Sequence, residues 1–151
     1  MIDRKHIGMK VPPYRATVEK GQLLLFAKAT GETNPIYLDE EAARAIGCPA
    51  IPIPPTFAFS LALLAPDRVS WADTLKLPME KILHGEQAFE YLHPVYCGDA
   101  LTFHERISDI YEKNDGALEF VVADTDVVNQ HGTQCLRLRT VAVLVHAKGN
   151  A

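Results

Sequence analysis

The stretch that decides the fold runs from residue 56 to residue 66 and reads TFAFSLALLAP. We predict a helix over residues 57–65, because Thr56 stands at the capping position and Pro66 cannot continue a helix. Every side of this helix is apolar except at Ser60. A helix that is apolar all round has to be surrounded by protein, so we expect it to lie in the core.

The chain before this helix is helical and interrupted by turns. Apolar side chains recur with helical spacing over residues 19–30, and Gly31 follows where a left-handed terminating residue belongs, so a helix is predicted there. A second short helix is expected after Asp39, which is a good N-cap, and it ends at Gly47. The remaining stretches are predicted to be irregular: residues 1–16, 48–55 with their four prolines, and 67–80.

The chain after residue 81 has the pattern of an antiparallel sheet. Candidate strands cover residues 85–93, 100–113, 117–129 and 133–147. Asn114-Asp115-Gly116 is a strong hairpin signal, and residues 129–132 form a looser turn, so successive strands are neighbours. One buried helix on a sheet long enough to curl around it indicates a single α+β domain of the hotdog type over residues 1–151. An ordinary helix-on-sheet α+β domain is the alternative.

Composition excludes several classes of function. The chain has 151 residues, 48% of them hydrophobic and 23% charged, with a formal net charge of −4. This balance is globular and carries no basic excess for nucleic acid. No apolar run approaches the roughly 20 residues of a membrane span, and the first residues lack a secretory signal. Three scattered cysteines predict free thiols and a cytoplasmic location. The histidines lack metal spacing, so we expect no metal and no cofactor.

One loop carries a family resemblance. Residues 31–37 read GETNPIY. They resemble the signature Gly-Asp-x-Asn-Pro-(Leu/Ile)-His of the MaoC-type hydratases and dehydratases, which are hotdog proteins that act on acyl thioesters. Glu32 stands at the aspartate position of that signature and Tyr37 at the histidine position. The positions that match it are Gly31, Asn34, Pro35 and Ile36.

Two further segments resemble one branch of that superfamily, the N-terminal MaoC or FAS1-like dehydratase domain. They are IPIPPTFAF at residues 51–59 and LHGEQAFEYLHPVYCGD at residues 83–99, and the resemblance covers nearly all of residues 10–146. It implies catalytic positions at Glu32 and Tyr37, and an oxyanion held by backbone N–H groups at the start of the central helix. The substrate contacts that it implies are Asn34, Pro55, Thr56, Phe57, His84 and Gly85.

The two replaced positions leave different functions open. Glutamate moves the carboxylate by about 1 Å, and misplacement of that size can cost roughly 100-fold in rate. A tyrosine stays protonated near neutral pH, where a histidine can act as a base. The first hypothesis is an (R)-specific enoyl-thioester hydratase or 3-hydroxyacyl-thioester dehydratase that uses Glu32 with Tyr37. The second is a non-catalytic acyl-binding subunit that pairs with a catalytic hotdog subunit.

A thioesterase ranks last, because the helix over residues 57–65 contains no carboxylate. The expected partners are an acyl-CoA or acyl-carrier-protein thioester and a second hotdog subunit, in a homodimer or a heterodimer. A single hotdog leaves one sheet edge and one side of its helix to be covered.

Overall fold

The computed structural model describes residues 1–146. Within this range the chain forms five strands and four α-helices, with three short 3₁₀ helices at Arg4–His6, Pro35–Tyr37 and Met79–Lys81. In chain order the strands and α-helices are β1 (Tyr14–Thr17), α1 (Lys20–Thr30), α2 (Glu40–Ala45), α3 (Phe57–Leu64), α4 (Trp71–Thr74), β2 (Ile82–Tyr91), β3 (Ala100–Lys113), β4 (Leu118–Val128) and β5 (Gln134–Val145).

The five strands form one antiparallel sheet in the order β1-β3-β4-β5-β2. The predicted hairpin joins β3 to β4, and its three turn residues Asn114, Asp115 and Gly116 have φ values of 54°, 52° and 81°. The α+β class and the antiparallel order of the last three strands are therefore confirmed. The expectation that successive strands are neighbours is wrong for the first predicted strand, since β2 pairs with β5 and not with β3. Strand β2 begins three residues before the predicted residue 85, and residue 147 of the last predicted strand lies outside the described residues.

The first two helices follow their sequence signals. Helix α1 ends at Thr30, and Gly31, the residue after it, is left-handed with φ 71°. At the start of α2, Asp39 Oδ1 accepts a hydrogen bond of 2.8 Å from the Ala42 N–H. This bond satisfies one of the N–H groups that a helix start leaves unpaired. Both predicted helices are confirmed.

Two elements lie in stretches that were predicted to be irregular. Strand β1 has only four residues and is stabilised by pairing with β3. No pattern within these four residues predicts that pairing. Helix α4 is one turn long, and Ser70 and Asp73 form a capping box at its start. A single turn is too short to show helical periodicity, so only its caps could have indicated it.

Helix α3 lies on the sheet but is covered on one side only. Its buried residues are Phe57, Ala58, Leu61 and Ala62. Leu63 and Leu64 are 54% and 61% exposed, so the chain itself leaves one side of this helix uncovered, as expected of a single hotdog. The expected cap is wrong in detail, since Thr56 has φ 70° and its side chain makes no capping hydrogen bond. The helix ends at Leu64, one residue before the predicted end.

Candidate functional site

The loop after α1 is organised by the carboxylate of Glu32. Its Oε1 accepts hydrogen bonds from two backbone N–H groups, that of Thr33 at 2.9 Å and that of Asn34 at 2.8 Å. The Glu32 N–H donates to the Ala27 carbonyl at 2.9 Å and so joins the loop to the end of α1. The Glu32 side chain therefore already holds the geometry of its own loop.

The next residues of this loop form a 3₁₀ turn that positions Tyr37. Asn34 Oδ1 accepts a hydrogen bond of 3.2 Å from the Ile36 N–H and caps the helix Pro35–Tyr37. Asn34 is exposed, and its side-chain oxygen stabilises the turn by accepting a backbone hydrogen bond, as Asx residues commonly do. Tyr37 at the end of the turn is half-buried. Its side chain lines an open groove of about 390 Å³ together with Pro55, Tyr91 and His93.

The start of α3 lies beside this first groove, and two N–H groups there have protein partners. The Thr56 N–H donates to the hydroxyl of Tyr91 at 3.1 Å, which connects α3 to β2. The Phe57 N–H donates to the Pro54 carbonyl at 3.2 Å. The Phe57 side chain is buried and makes an edge-to-face contact with Phe26 at 5.4 Å between ring centroids. An oxyanion bound by either of these N–H groups would have to displace its present hydrogen bond.

A second cavity of about 300 Å³ lies between α3 and the sheet. Its floor consists of small side chains on neighbouring strands, Ala123 on β4 with Thr140 and Ala142 on β5. Ala123 pairs with Thr140 in the register of the sheet. Because these side chains are short, they leave space under the helix. Its walls include Phe59, Leu63, Trp71 and His84.

His84 enters this cavity from β2, where the strand is irregular. The rings of His84 and Phe59 are 5.0 Å apart and meet edge to face. The register of β2 against β5 shifts between His84 and Glu86. A Cβ at Gly85 would meet Val143 Cγ2 at 2.8 Å and the Val141 carbonyl oxygen at 3.1 Å. Gly85 therefore allows β2 to approach β5 closely at the residue after His84.

The predicted site residues thus fall in two places. Tyr37 and Pro55 line the first groove, and Thr56 adjoins it through Tyr91. His84 lines the second cavity, with Gly85 beside it. Glu32 and Asn34 line neither of the two.

Sequence reasoning missed Arg68 and Glu105, which line one end of the second cavity. A signal for Glu105 was present in β3, since every second residue from Leu101 to Ile107 faces the core. The members of that row are Leu101, Phe103, Glu105 and Ile107, and Glu105 is 5% exposed. A carboxylate in an otherwise apolar row indicates a buried polar contact.

Comparison with solved structures identifies the fold class of this protein. One chain of the C-terminally truncated HadBC complex, a 3R-hydroxyacyl-ACP dehydratase of Mycobacterium tuberculosis, superimposes with a TM-score of 0.76 and 26% identity, over 91% of this chain and 96% of that one. The R-hydratase PhaJ1 of Pseudomonas aeruginosa shares the fold with a TM-score of 0.67 and 23% identity, over 94% and 83% of the two chains. The predicted hotdog fold of the MaoC-like superfamily is confirmed.

The family follows from the sequence match. The model of the FAS1-like dehydratase domain region matches residues 5–137, and the chain belongs to this family. A relative, the UPF0336 protein SCO4636 of Streptomyces coelicolor, is 40% identical over 111 residues, which are 72% of this chain and 73% of the relative. Among the described residues, no helix has the length and apolar character needed to cross a membrane.

Proposed function

We propose that this chain binds the acyl group of a 2-enoyl or (R)-3-hydroxyacyl thioester in a hydratase or dehydratase reaction, as the acyl-binding subunit beside a separate catalytic hotdog subunit. The observation that carries the proposal is the cavity of about 300 Å³ between α3 and the sheet. Apolar and aromatic walls with a few polar groups are typical of small-molecule sites. Its small floor residues leave room for a chain of methylene groups.

The assignment of catalysis to a separate subunit is supported by the groups in this chain that catalysis would need, since they are either already hydrogen-bonded within the chain or replaced. One carboxylate oxygen of Glu32 is occupied by two backbone hydrogen bonds. The N–H groups of Thr56 and Phe57 have protein partners. Neither the aspartate nor the histidine of the hydratase signature is present in the loop. Solved relatives of the same fold include complexes, HadBC and ChsH1–ChsH2.

A second candidate is that the chain hydrates enoyl thioesters by itself, with Glu32 as the base and Tyr37 as a hydrogen-bond donor. It is favoured by one observation: both side chains are half-buried on a single loop, and Tyr37 faces the groove beside the start of α3. A general base must come within about 3 Å of the proton that it removes.

Turnover by the purified protein separates the two candidates. We expect no loss of enoyl absorbance with crotonyl-CoA or a longer enoyl-CoA, although acyl-CoA binding quenches the fluorescence of Trp71. Trp71 is the only tryptophan of the chain and lines the cavity, so its emission reports occupancy directly. Ala142→Leu fills the cavity floor and should weaken this binding about tenfold or more, because the space that a chain occupies is lost.

Glu32→Gln is the variant that tests the second candidate. Glutamine keeps an oxygen that can accept the two loop hydrogen bonds but cannot take up a proton. Turnover in the native protein that is lost in Glu32→Gln and kept in the matched exposed variant Glu41→Gln would establish Glu32 as a base. Absence of both turnover and acyl-CoA binding would contradict both candidates.

A further inference from the structure

A buried charged cluster lies at the end of the second cavity, after the C-terminal end of α3. Glu105 Oε2 accepts a hydrogen bond of 3.1 Å from the Tyr14 hydroxyl and lies 3.5 Å from Arg68 Nη2. The Arg68 guanidinium lies over the Tyr14 ring, with Cζ 5.6 Å from its centroid. Burial, and then the charge of Glu105, raise the pKa of Tyr14 far above its ordinary value, so the phenol remains a donor to this carboxylate.

Two polar atoms of the cluster have no partner. Within residues 1–146, Glu105 Oε1 and Arg68 Nε are both buried and make no hydrogen bond. Leaving a buried polar group unpaired is destabilising, and more so when the group is charged. The carboxylate oxygen can only accept and the guanidinium nitrogen can only donate. A single hydroxyl group can satisfy both, because it has one donor and two lone pairs.

The surroundings restrict what can carry that hydroxyl. Phe59, Leu63 and Trp71 make the walls of the cavity largely apolar. The cavity crosses the sheet from His84 on β2, over Thr140 on β5 and Ala123 on β4, to Glu105 on β3. A chain that enters beside the exposed His84 therefore has its far end at Arg68 and Glu105.

We propose that this cavity selects acyl chains that carry a hydroxyl group at the far end, held between Arg68 Nε and Glu105 Oε1. The proposal rests on the proposed function, since it takes the acyl group as the occupant of the cavity. It makes Arg68 and Glu105 specificity-determining residues. Recognition by two buried groups of opposite hydrogen-bonding character penalises a chain that ends in a methyl group, because both groups then stay unpaired.

The test compares matched chains by titration of Trp71 fluorescence. The probes are octanoyl-CoA against 8-hydroxyoctanoyl-CoA, and decanoyl-CoA against 10-hydroxydecanoyl-CoA. We expect the hydroxylated chain of at least one pair to bind about tenfold tighter. Arg68→Lys keeps a positive charge beside Glu105 but removes Nε, and it should abolish the preference while the unsubstituted chains still bind.

Arg106→Lys is the matched control, because Arg106 pairs with Asp124 at 3.5 Å and its side chain is 55% exposed. It should keep the full preference. Equal binding of the two chains, or a preference that survives Arg68→Lys, would overturn the proposal and leave an ordered water as the partner of the two atoms. In both cases the proposed function still stands.

Failure of every acyl-CoA to bind would count against the proposed function instead. The cavity end is then tested without a thioester, by comparing 1-octanol with 1,8-octanediol on the same tryptophan signal. Tighter binding of the diol, lost in Arg68→Lys, supports the polar end of the cavity. Equal affinities for the two alcohols overturn it.

Discussion

At the scale of single residues, Gly85 gives the sharpest stability prediction. A Cβ at this position would lie 2.8 Å from Val143 Cγ2 and 3.1 Å from a backbone oxygen of Val141, and a backbone atom cannot turn away as a side chain can. We expect Gly85→Ala to lower the free energy of unfolding by about 1–3 kcal/mol, the usual cost of overpacking. Urea denaturation measures it.

The matched control is Gly21→Ala in the first turn of α1. Nothing lies within 4 Å of a Cβ built there, and the backbone is helical. Alanine should raise the free energy of unfolding by about 0.4–1 kcal/mol, because it restricts the unfolded chain. A Gly85→Ala protein as stable as the native one would mean that β2 moves away from β5 at low cost.

At the scale of elements, the capping box of α4 predicts a pH-dependent contribution to stability. Asp73 Oδ2 accepts hydrogen bonds from the Ser70 hydroxyl at 2.7 Å and from the Ser70 N–H at 3.0 Å. These bonds lower the pKa of Asp73. A lowered folded-state pKa contributes stability above the unfolded-state pKa, and that stability is lost as the pH falls through the folded-state value.

We therefore expect Asp73→Asn to be less stable than the native protein at pH 7, and the difference to shrink once the pH is below the ordinary range of an aspartate. Urea denaturation at both pH values measures this difference. Ser70→Ala should cost about 1 kcal/mol at pH 7, the usual effect of losing an N-cap. A difference between Asp73→Asn and native protein that is the same at acid and neutral pH would contradict the assignment to the carboxylate.

Local signals account for what the sequence could predict. Helices α1 and α2 and the hairpin between β3 and β4 each carry their own caps or turn residues, at Gly31, Asp39 and Asn114-Asp115-Gly116. Strand β1 depends on pairing with a segment more than eighty residues away in the chain, so its own four residues do not specify it. The partial cover of α3 also depends on the folded chain, because apolarity alone does not show which side is packed.

The candidate site was predictable only where a motif marks it. The GETNP loop could be identified because its sequence matches the hydratase signature at most positions. The hydrogen bonds to Glu32 Oε1 could not be predicted, because they depend on the folded turn. The second cavity arises from register, which sets Ala123 opposite Thr140 on adjacent strands. The cluster of Arg68, Glu105 and Tyr14 joins three separate segments of the chain, and no spacing in the sequence brings them together.

At the scale of the whole molecule, the two edges of the sheet differ. Edge strand β1 has four residues, whereas edge strand β2 has ten and carries exposed apolar side chains at Leu83 and Tyr91. A long, unblocked edge is a surface for pairing with another strand, and closed two-fold dimers are the commonest arrangement. The side of α3 that carries Leu63 and Leu64 is likewise left uncovered by its own chain.

We therefore expect association through β2, as a homodimer or with a second hotdog subunit. Light scattering after size exclusion should give at least the mass of two chains at micromolar concentration, for the protein alone or after co-expression with a hotdog protein that has the intact Asp and His of the signature.

Ala88→Lys should weaken this association, because a charge in the middle of an edge strand opposes pairing. Thr17→Lys places the same charge on β1 and should leave the mass unchanged. Equal loss of association in both variants would show that β2 is not the interface. A monomer under both conditions would contradict the expected association.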